Sequence, residues 1–317
     1  MPNSELNAPA VALGTWAWGD SGDAGDGYFG STLTDTSLAE AADAAQAAGL
    51  TLWDTALVYG MGRSEKVLGQ VLRRFDRSEY QLSTKFTPQI AGDGHDPVAH
   101  MLAKSLANLD TDYIDLYWIH NPADVEKWTP QLIPLLESGK VRHVGVSNHD
   151  LQQIRSADRI LGEAGYRVEA VQNHYSLLYR SSERAGVLEH CRENGIRFFS
   201  YMVLEQGALT GRYSPANPMP AGTNRGATYN ALLPHLTDLT DRLAEIGRGH
   251  DASAADVATA WAIAKGTTPI IGVTKPHYVD GLVRAAHVDL TGDEIVEIES
   301  LAAEAKVDTR GAWEHEM

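Results

Sequence analysis

The sequence has one cysteine among its 317 residues, Cys191. No disulfide can therefore form within the chain, which excludes the small secreted folds that depend on disulfides. The residues around Cys191, Glu-His-Cys-Arg-Glu, are typical of a helix interior. We expect a protein of a reducing compartment whose fold is held together by a large apolar core.

Long apolar runs are missing as well. No stretch reaches the roughly 20 residues that a helix needs to cross a bilayer. Residues 1–9 contain neither the basic segment nor the apolar segment of a secretion signal. The sequence therefore predicts a cytoplasmic protein with no membrane partner.

Positive charge is scarce, with 26 Lys and Arg against 42 Asp and Glu and a formal net charge of -16. Nucleic-acid binding needs a concentrated basic face, so nucleic acid is excluded as a main partner. We expect most of the carboxylates on solvated helix faces. No metal site is predicted, and the oligomeric state is left open.

The glycine fingerprint GxGxxG, which places a dinucleotide pyrophosphate at the start of a helix, is also absent. Residues 19–30 contain Gly22, Gly25 and Gly27, but their spacing differs and no helix pattern opens directly after them. A Rossmann domain is therefore not expected. We predict that residues 19–30 form a mobile loop over a site.

The sequence does contain a regular alternation of short apolar stretches with helical patterns. Strands are predicted at residues 11–16, 50–53, 80–85, 113–119, 141–146, 168–171, 197–201 and 268–272. Between and after them, helices are predicted at residues 35–48, 64–75, 96–109, 124–138, 151–162, 239–248, 254–264, 278–286 and 294–305, with one more ending near residue 195. Residues 204–229, rich in Gly and Pro, are predicted to be a long loop.

Strict alternation of strand and helix implies parallel strands joined by right-handed crossovers. Eight such units in a chain of this length predict a (β/α)8 TIM barrel with its active site at the C-terminal face of the strands. We expect one domain over residues 1–317, with a flexible N-terminus at 1–10 and a C-terminal tail at 306–317. A doubly wound open sheet is the alternative, but its phosphate fingerprint is missing.

Ionisable side chains lie at or just past the ends of three successive predicted strands: Asp54, Lys85 and His120. Tyr59 comes five residues after Asp54. Because all strand ends open on one face of a parallel barrel, these four side chains are expected to converge. Taken singly, each has an ordinary alternative: a capping aspartate, a surface lysine, a satisfied histidine and a core tyrosine.

Proton donation by the phenol is the chemistry that such a group offers. Bringing the pKa of tyrosine from about 10 to about 7 needs about 4 kcal/mol of preferential phenolate stabilisation. A lysine cation in contact supplies a Coulomb term of that order at an effective dielectric near 20. Lys85 is therefore predicted to lower the pKa of Tyr59, Asp54 to hold Lys85, and His120 to bond the substrate oxygen or relay a proton.

The segments WDTA, VYG, STK, WIHNP, GVSN, VQN and FSY occur in the order found in the aldo-keto reductase family, which the chain resembles from Gly14 to Ala286. This resemblance implies NAD(P)H-dependent carbonyl reduction on a barrel. The catalytic tetrad of that family is matched by Asp54, Tyr59, Lys85 and His120. Its nicotinamide-binding residues are matched by Ser147, Asn148 and Gln172, and its ring-stacking aromatic by Tyr201.

Two further segments match the cofactor-binding pattern of the family. The stretch that covers the pyrophosphate is matched by Gly207, Leu209, Gly211 and Arg212, and the adenosine-side turn by Gly272, Thr274 and Lys275. Beyond this turn the sequence departs from the family, with Tyr278, Gly281 and Leu282 at positions that often contact phosphate and adenine. The resemblance therefore implies NADPH as the cofactor, with NADH also possible.

Candidate substrate contacts are fewer. Trp16, Trp18 and Trp118 are predicted either to line an apolar substrate pocket or to belong to the core. Glu205 stands in a segment that is more often apolar, and is predicted to face the substrate or the cofactor. The heptad GTWAWGD, residues 14–20, resembles the pyridoxal-reductase-like branch of the family.

The predicted function is reduction of an aldehyde or ketone, with Tyr59 as the proton donor. The same groups working in reverse would make a sugar or alcohol dehydrogenase. A second alternative is a cofactor-binding regulatory subunit without turnover, and a third is an aldolase-type barrel with Lys85 as its Schiff-base lysine. The sequence does not identify the small-molecule substrate, whose determinants are expected in the loops.

Overall fold

A computed structural model describes residues 6, 8–19, 26–30, 33–311 and 314, apart from the side chains of residues 26 and 27. Eight parallel strands close into a barrel in sequence order. These strands are β1 (Ala12–Gly14), β2 (Leu52–Asp54), β3 (Gln81–Phe86), β4 (Ile114–Ile119), β5 (Val141–Ser147), β6 (Ala170–His174), β7 (Arg197–Tyr201) and β8 (Thr268–Gly272). The predicted (β/α)8 barrel is confirmed.

Helices surround the barrel. In chain order they are α1 (Asp26–Phe29), α2 (Asp35–Ala47), α3 (Arg63–Leu72), α4 (Pro97–Leu109), α5 (Val125–Trp128), α6 (Ile133–Glu137), α7 (Leu151–Gly162), α8 (Ser181–Arg184), α9 (Val187–Asn194), α10 (Asn224–Tyr229), α11 (Leu233–Gly249), α12 (Ala254–Ala264), α13 (Pro276–Ala285) and α14 (Gly292–Glu304). Short 3-10 helices occur at Tyr59–Gly62, Arg77–Glu79, Pro88–Ile90, Thr129–Leu132 and Glu205–Thr210. Within the described ranges, no helix is both long and apolar enough to cross a membrane.

Side-chain alternation along the strands separates two cores. In β3, Leu82 and Phe86 face the helices and join the large outer core, whereas Ser83 and Lys85 face the barrel interior. The interior is filled by a smaller cluster: Ala12, Leu52, Leu116, Trp118, Ala170 and Phe199. Leu6 and Ala8 pack against this cluster.

Several element boundaries differ from the sequence-based expectation. The predicted helix at 124–138 is divided into α5, a 3-10 turn and α6, since Pro130 and Pro134 lack the amide hydrogen that a continuous helix needs. Strand β6 runs from Ala170 to His174, so Gln172 lies inside the strand rather than after it. The expected loops at 19–30 and 204–229 contain helices α1 and α10, and residues 20–25 of the first lie outside the described part of the chain.

The two ends of the chain are only partly described. Residues 1–5 and 7 of the predicted flexible N-terminus, and residues 312, 313 and 315–317 of the predicted tail, lie outside the described residues. The described tail packs against the barrel. The Thr309 hydroxyl donates to Glu205, and Glu314 is buried.

We expect Gly145→Ala to destabilise the barrel by about 1–3 kcal/mol, as overpacked cores generally are. Gly145 is in β5, and a Cβ there would come within 2.4 Å of the Trp118 ring in the interior. Urea unfolding followed by fluorescence measures the change. Gly162→Ala is the matched control, because no atom lies within 4 Å of a Cβ placed at that end of α7. Equal stability of the two variants would contradict the packing described.

Candidate active site

The four predicted catalytic side chains lie at the C-terminal face of the barrel. Asp54 ends β2, Lys85 is near the end of β3, His120 follows β4, and Tyr59 opens the 3-10 turn after β2. Lys85 Nζ donates to Asp54 Oδ2 at 2.5 Å and to the Thr55 carbonyl at 2.8 Å. Lys85 has no exposed surface, so its charge is held by these acceptors rather than by water.

The second carboxylate oxygen of Asp54 is fixed from the barrel interior. Its Oδ1 accepts from the Ser83 hydroxyl at 2.7 Å and from Gln172 Nε2 at 3.2 Å. Trp118 Nε1 donates in turn to Ser83 Oγ at 2.5 Å. Trp118 therefore orients the aspartate through Ser83.

Two of the tryptophans predicted as possible pocket residues occupy core positions. Trp118 is fully buried in the barrel interior. Trp18 is also fully buried, packs edge-on against Trp53 and donates to the Val273 carbonyl at 2.7 Å. Neither presents a surface to a ligand, which agrees with the core alternative.

The structure corrects the predicted electrostatics of Tyr59. Lys85 Nζ is 5.2 Å from the centroid of the Tyr59 ring. The pKa of Tyr59 is nevertheless raised, because burial raises it more than Lys85 lowers it, although the residue as a whole is only half-buried. The sequence-based estimate included the cation but not the loss of hydration. For Lys85 burial has the opposite effect and lowers the pKa, but Asp54 and Tyr59 outweigh this effect, and the net shift of the Lys85 pKa is upward.

His120 is neutral in this setting. Burial, followed by the Lys85 charge, holds the pKa of His120 well below its ordinary value. Its Nδ1 lies 2.9 Å from the Thr87 hydroxyl, and its ring meets Tyr59 edge-on at 6.1 Å between centroids. When the Thr87 hydroxyl donates to Nδ1, the remaining ring proton is on Nε2, where it is available to a ligand.

Aromatic rings border Tyr59 on the side of β1 and α1. Trp16 stacks on Tyr59 with 6.0 Å between centroids. Tyr28 and Phe29 of α1 pack on Trp16 at 4.8 and 5.3 Å. Gln206 Nε2 donates to the Tyr28 hydroxyl at 3.3 Å, so α1 also contacts the segment after β7. Trp16 is the predicted pocket tryptophan that stays partly exposed beside Tyr59.

The predicted nicotinamide-binding residues lie on neighbouring strands. Ser147 pairs with Gln172 across β5 and β6, and His174 pairs with Tyr201 across β6 and β7. The Tyr201 hydroxyl lies 2.5 Å from Asn148 Oδ1 and 2.8 Å from Glu314 Oε1, and donates its single proton to one of these two acceptors at a time. An amide oxygen accepts two hydrogen bonds, so Asn148 keeps one acceptor position for a carboxamide.

The predicted phosphate-binding segments meet through Tyr278. Arg212 Nη1 lies 3.5 Å from the Tyr278 hydroxyl, and Lys275 is the N-cap residue of α13. Arg212 and Lys275 are exposed, Thr274 is half-buried, and the exposed Gly211 and Gly272 add no side chains that would hinder a phosphate. Two cations beside a helix N-terminus suit a phosphate. The Leu209 side chain is buried, so this residue offers a ligand its backbone alone.

The backbone around Gly207 explains the glycine in the pyrophosphate segment. Gly207 has φ of 108°, a conformation that favours glycine. A Cβ there would also lie 3.1 Å from the Tyr213 ring. The donors, cations and bare backbone of this region therefore fit a dinucleotide phosphate.

The prediction that Glu205 faces a ligand is wrong, because its side chain is fully buried. It accepts from Tyr229 at 2.7 Å, from Thr309 and His174 Nε2 at 3.0 Å, and from Ser176. His174 Nδ1 lies 2.9 Å from Glu314 Oε1 on its other side. We call His174, Glu205 and Glu314 the histidine–carboxylate cluster.

The cluster changes the protonation of His174. Burial by itself lowers the pKa of His174, but the Glu205 and Glu314 carboxylates raise it to about 9. His174 is therefore protonated at neutral pH. Within the described ranges, no group of three or more His, Cys, Asp and Glu residues is arranged to hold a metal ion.

Sequence reasoning missed five residues of the site: Ser83, Thr87, Thr55, His174 and Glu314. Ser83 could have been found, since it alternates with Lys85 and must share its face of β3. Thr87 follows the same strand end. Glu314 gives no local signal, because its partner His174 is 140 residues away.

Comparisons with known proteins agree with this architecture. A sequence model of the Aldo/keto reductase family matches residues 10–303. Aldo-keto reductase str7 of Strobilurus tenacellus is 32% identical over 294 residues, covering 89% of this chain and 85% of that protein. The chloroplastic pyridoxal reductase of Arabidopsis thaliana is 31% identical over 315 residues, covering 95% and 85%. An aldo-keto reductase of Klebsiella pneumoniae, solved with NADPH, shares the fold with a TM-score of 0.71 at 24% identity, covering 93% of this chain and 91% of that one.

The raised pKa of His174 predicts a pH-dependent contribution to stability. The folded-state pKa of about 9 lies above the ordinary value of 6.5, so the contribution is complete below pH 6.5 and is lost as the pH rises through about 9. We expect the difference in unfolding free energy between the parent protein and His174→Gln to shrink across this window. Urea unfolding at a series of pH values measures it, with His100→Gln at an exposed position of α4 as the control. A difference that stays constant from about pH 6 to about pH 9.5 would show that His174 is not held as a cation.

Proposed function

The chain belongs to the aldo/keto reductase family of NAD(P)-dependent oxidoreductases, and from this premise we propose that it reduces an aldehyde or ketone with NADPH while Tyr59 protonates the carbonyl oxygen. One observation carries the proposal. A fully buried lysine, Lys85, lies between a carboxylate and the ring of a partly exposed tyrosine at the mouth of the barrel. This arrangement supports a phenol as the proton donor.

The raised pKa of Tyr59 is compatible with this role. The raised pKa keeps the phenol protonated at neutral pH, so Tyr59 has a proton to donate. When the proton moves to the substrate oxygen, negative charge appears on the phenolate beside the Lys85 cation. Asp54 keeps Lys85 charged and in place through the 2.5 Å contact. The cation therefore acts where charge develops, rather than on the resting phenol.

His120 supplies the second contact to the carbonyl oxygen. A neutral ring whose Nδ1 accepts from Thr87 presents its proton on Nε2. The substrate oxygen then lies between the Tyr59 hydroxyl and the His120 ring. The depressed pKa of His120 makes it a hydrogen-bond donor rather than an acid in the physiological range.

NADPH, when bound, supplies the hydride to the carbonyl carbon. Ser147, Asn148 and Gln172 would hold its carboxamide, and Tyr201 would stack on its ring. Gly207, Leu209, Gly211 and Arg212 would contact the pyrophosphate through backbone donors and one cation. Gly272, Thr274 and Lys275 would contact the adenosine side, where a cation favours the 2′-phosphate and hence NADPH over NADH.

We further propose that the substrate carries an apolar or aromatic part. Trp16, Tyr28 and Phe29 provide apolar surface beside Tyr59. The pyridoxal reductase of Arabidopsis thaliana acts, by its name, on an aldehyde attached to an aromatic ring. Pyridoxal and benzaldehyde-type compounds are therefore the first substrates to test. We also propose a cytoplasmic location, which is supported by the single, buried cysteine, since a fold without disulfides suits a reducing compartment.

The Tyr59→Phe variant tests the proton donor. We expect it to lower kcat with an aldehyde by at least about a hundredfold, the usual contribution of a general acid, and to leave the NADPH dissociation constant within about twofold. Stopped-flow or steady-state oxidation of NADPH gives the rate, and fluorescence titration gives the affinity. A parental rate in Tyr59→Phe would rule out Tyr59 as the donor.

A second prediction concerns Thr87. Replacing it with valine removes the hydrogen bond that sets the His120 tautomer, and should lower kcat about tenfold with little change in NADPH affinity. Thr87→Ser should restore most of the rate. Thr129→Val is the matched control, since the buried Thr129 hydroxyl has no hydrogen-bond partner among the described residues. Equal effects of the two valine substitutions would contradict the role of Thr87.

A further inference from the structure

The histidine–carboxylate cluster is a buried group of three ionisable side chains. Both ring nitrogens of His174 face carboxylate oxygens, Nδ1 at 2.9 Å from Glu314 and Nε2 at 3.0 Å from Glu205. When both carboxyl groups are ionised they can only accept hydrogen bonds, and each ring nitrogen then carries a proton, which makes the ring an imidazolium. One cation between two carboxylates leaves one net negative charge, buried where water does not screen it.

This charge lies directly against Tyr201. The His174 ring stacks on the Tyr201 ring with 5.5 Å between centroids and an angle of 25°, and stacks on Tyr179 on another side at 4.2 Å. Glu314 Oε1 is also 2.8 Å from the Tyr201 hydroxyl. Since His174 covers one face of Tyr201, a ligand ring that stacks on Tyr201 must use the other face.

We propose that the histidine–carboxylate cluster tunes the charge preference of the ligand ring stacked on Tyr201, favouring the positively charged nicotinamide of NADP⁺ over the neutral ring of NADPH. The inference rests on the proposed function, which assigns Tyr201 to the nicotinamide. A net negative charge behind Tyr201 attracts the cationic ring and leaves the neutral ring almost unaffected. With the cofactor bound, the cluster would also stabilise the positive charge that the ring would gain on giving up hydride.

Glu314 is the member of the cluster best suited to a test. Its carboxylate contacts His174 and Tyr201, and it is held by the Gly311 amide, which donates to Oε2 at 3.1 Å. Glu314→Gln preserves the size and the acceptor oxygen of the side chain but removes its charge. The cluster then has no net charge.

The experiment measures two dissociation constants for each protein, NADPH and NADP⁺, by quenching of protein fluorescence. In Glu314→Gln we expect the ratio of the NADP⁺ constant to the NADPH constant to rise roughly tenfold, the effect of one unit charge over roughly 10 Å at an effective dielectric of about 20. His174→Gln removes the cation instead and should move the ratio in the opposite direction. Glu304→Gln, at an exposed position at the end of α14, should leave it unchanged.

The possible outcomes are distinct. If Glu314→Gln changes both constants equally, the residue only positions Tyr201 and the charge proposal is wrong. If it changes neither, the cluster does not act on the ring at all, and the proposal is also wrong. If Glu314→Gln does not fold, the sign of the shift in His174→Gln decides the question. If the parent protein binds neither nucleotide, the proposed function itself fails, whatever the variants do.

Discussion

The buried ion pair of Lys85 and Asp54 is the interaction on which the site depends. Lys85 has no exposed surface, and a buried charge that loses its partner typically costs about 3–5 kcal/mol. The carboxylate must therefore stay in place, and Ser83 and Gln172 bond its second oxygen, with Trp118 behind Ser83. The barrel interior thus orients the pair, while the Tyr59 ring lies over Lys85 on the side of the barrel mouth and His120 packs against Tyr59. A single electrostatic requirement links the core of the barrel to the groups at its mouth.

Parallel strand order made much of this site predictable. Asp54, Lys85 and His120 each lie at or just past the end of a predicted strand, and a closed parallel barrel brings all C-terminal strand ends to one face. The sequence could not predict the sizes of the opposing contributions to the pKa of Tyr59. The expectation that Lys85 lowers this pKa overall was wrong for that reason. A Coulomb term between neighbouring groups can be estimated from spacing, but the loss of hydration depends on every atom that surrounds the hydroxyl. Burial therefore reversed the predicted sign of the pKa shift.

The contacts of Glu205 could not be predicted from the sequence for a different reason. Its unusual character was visible in the sequence, since it stands among apolar residues and glycines, but its partners were not. His174 is 31 residues before it and Thr309 is 104 residues after it. Such contacts follow from closure of the barrel and from the path of the chain after α14, which local patterns do not specify. Local patterns also failed to predict the burial of Trp18, which stands next to a predicted loop but belongs to the core.

The site thus has a buried ionic group at each end, and the two groups present charges of different sign to their neighbours. The Lys85–Asp54 pair is neutral overall but presents its cation to Tyr59, whereas the histidine–carboxylate cluster presents net negative charge to Tyr201. Reduction of a carbonyl by the proposed route moves negative charge toward the substrate oxygen at Tyr59 and leaves positive charge on the ring at Tyr201. Both centres oppose the charge that develops nearest to them. Because neither is free to reorient, the field is present before the reaction begins, and its contribution does not require the protein to rearrange.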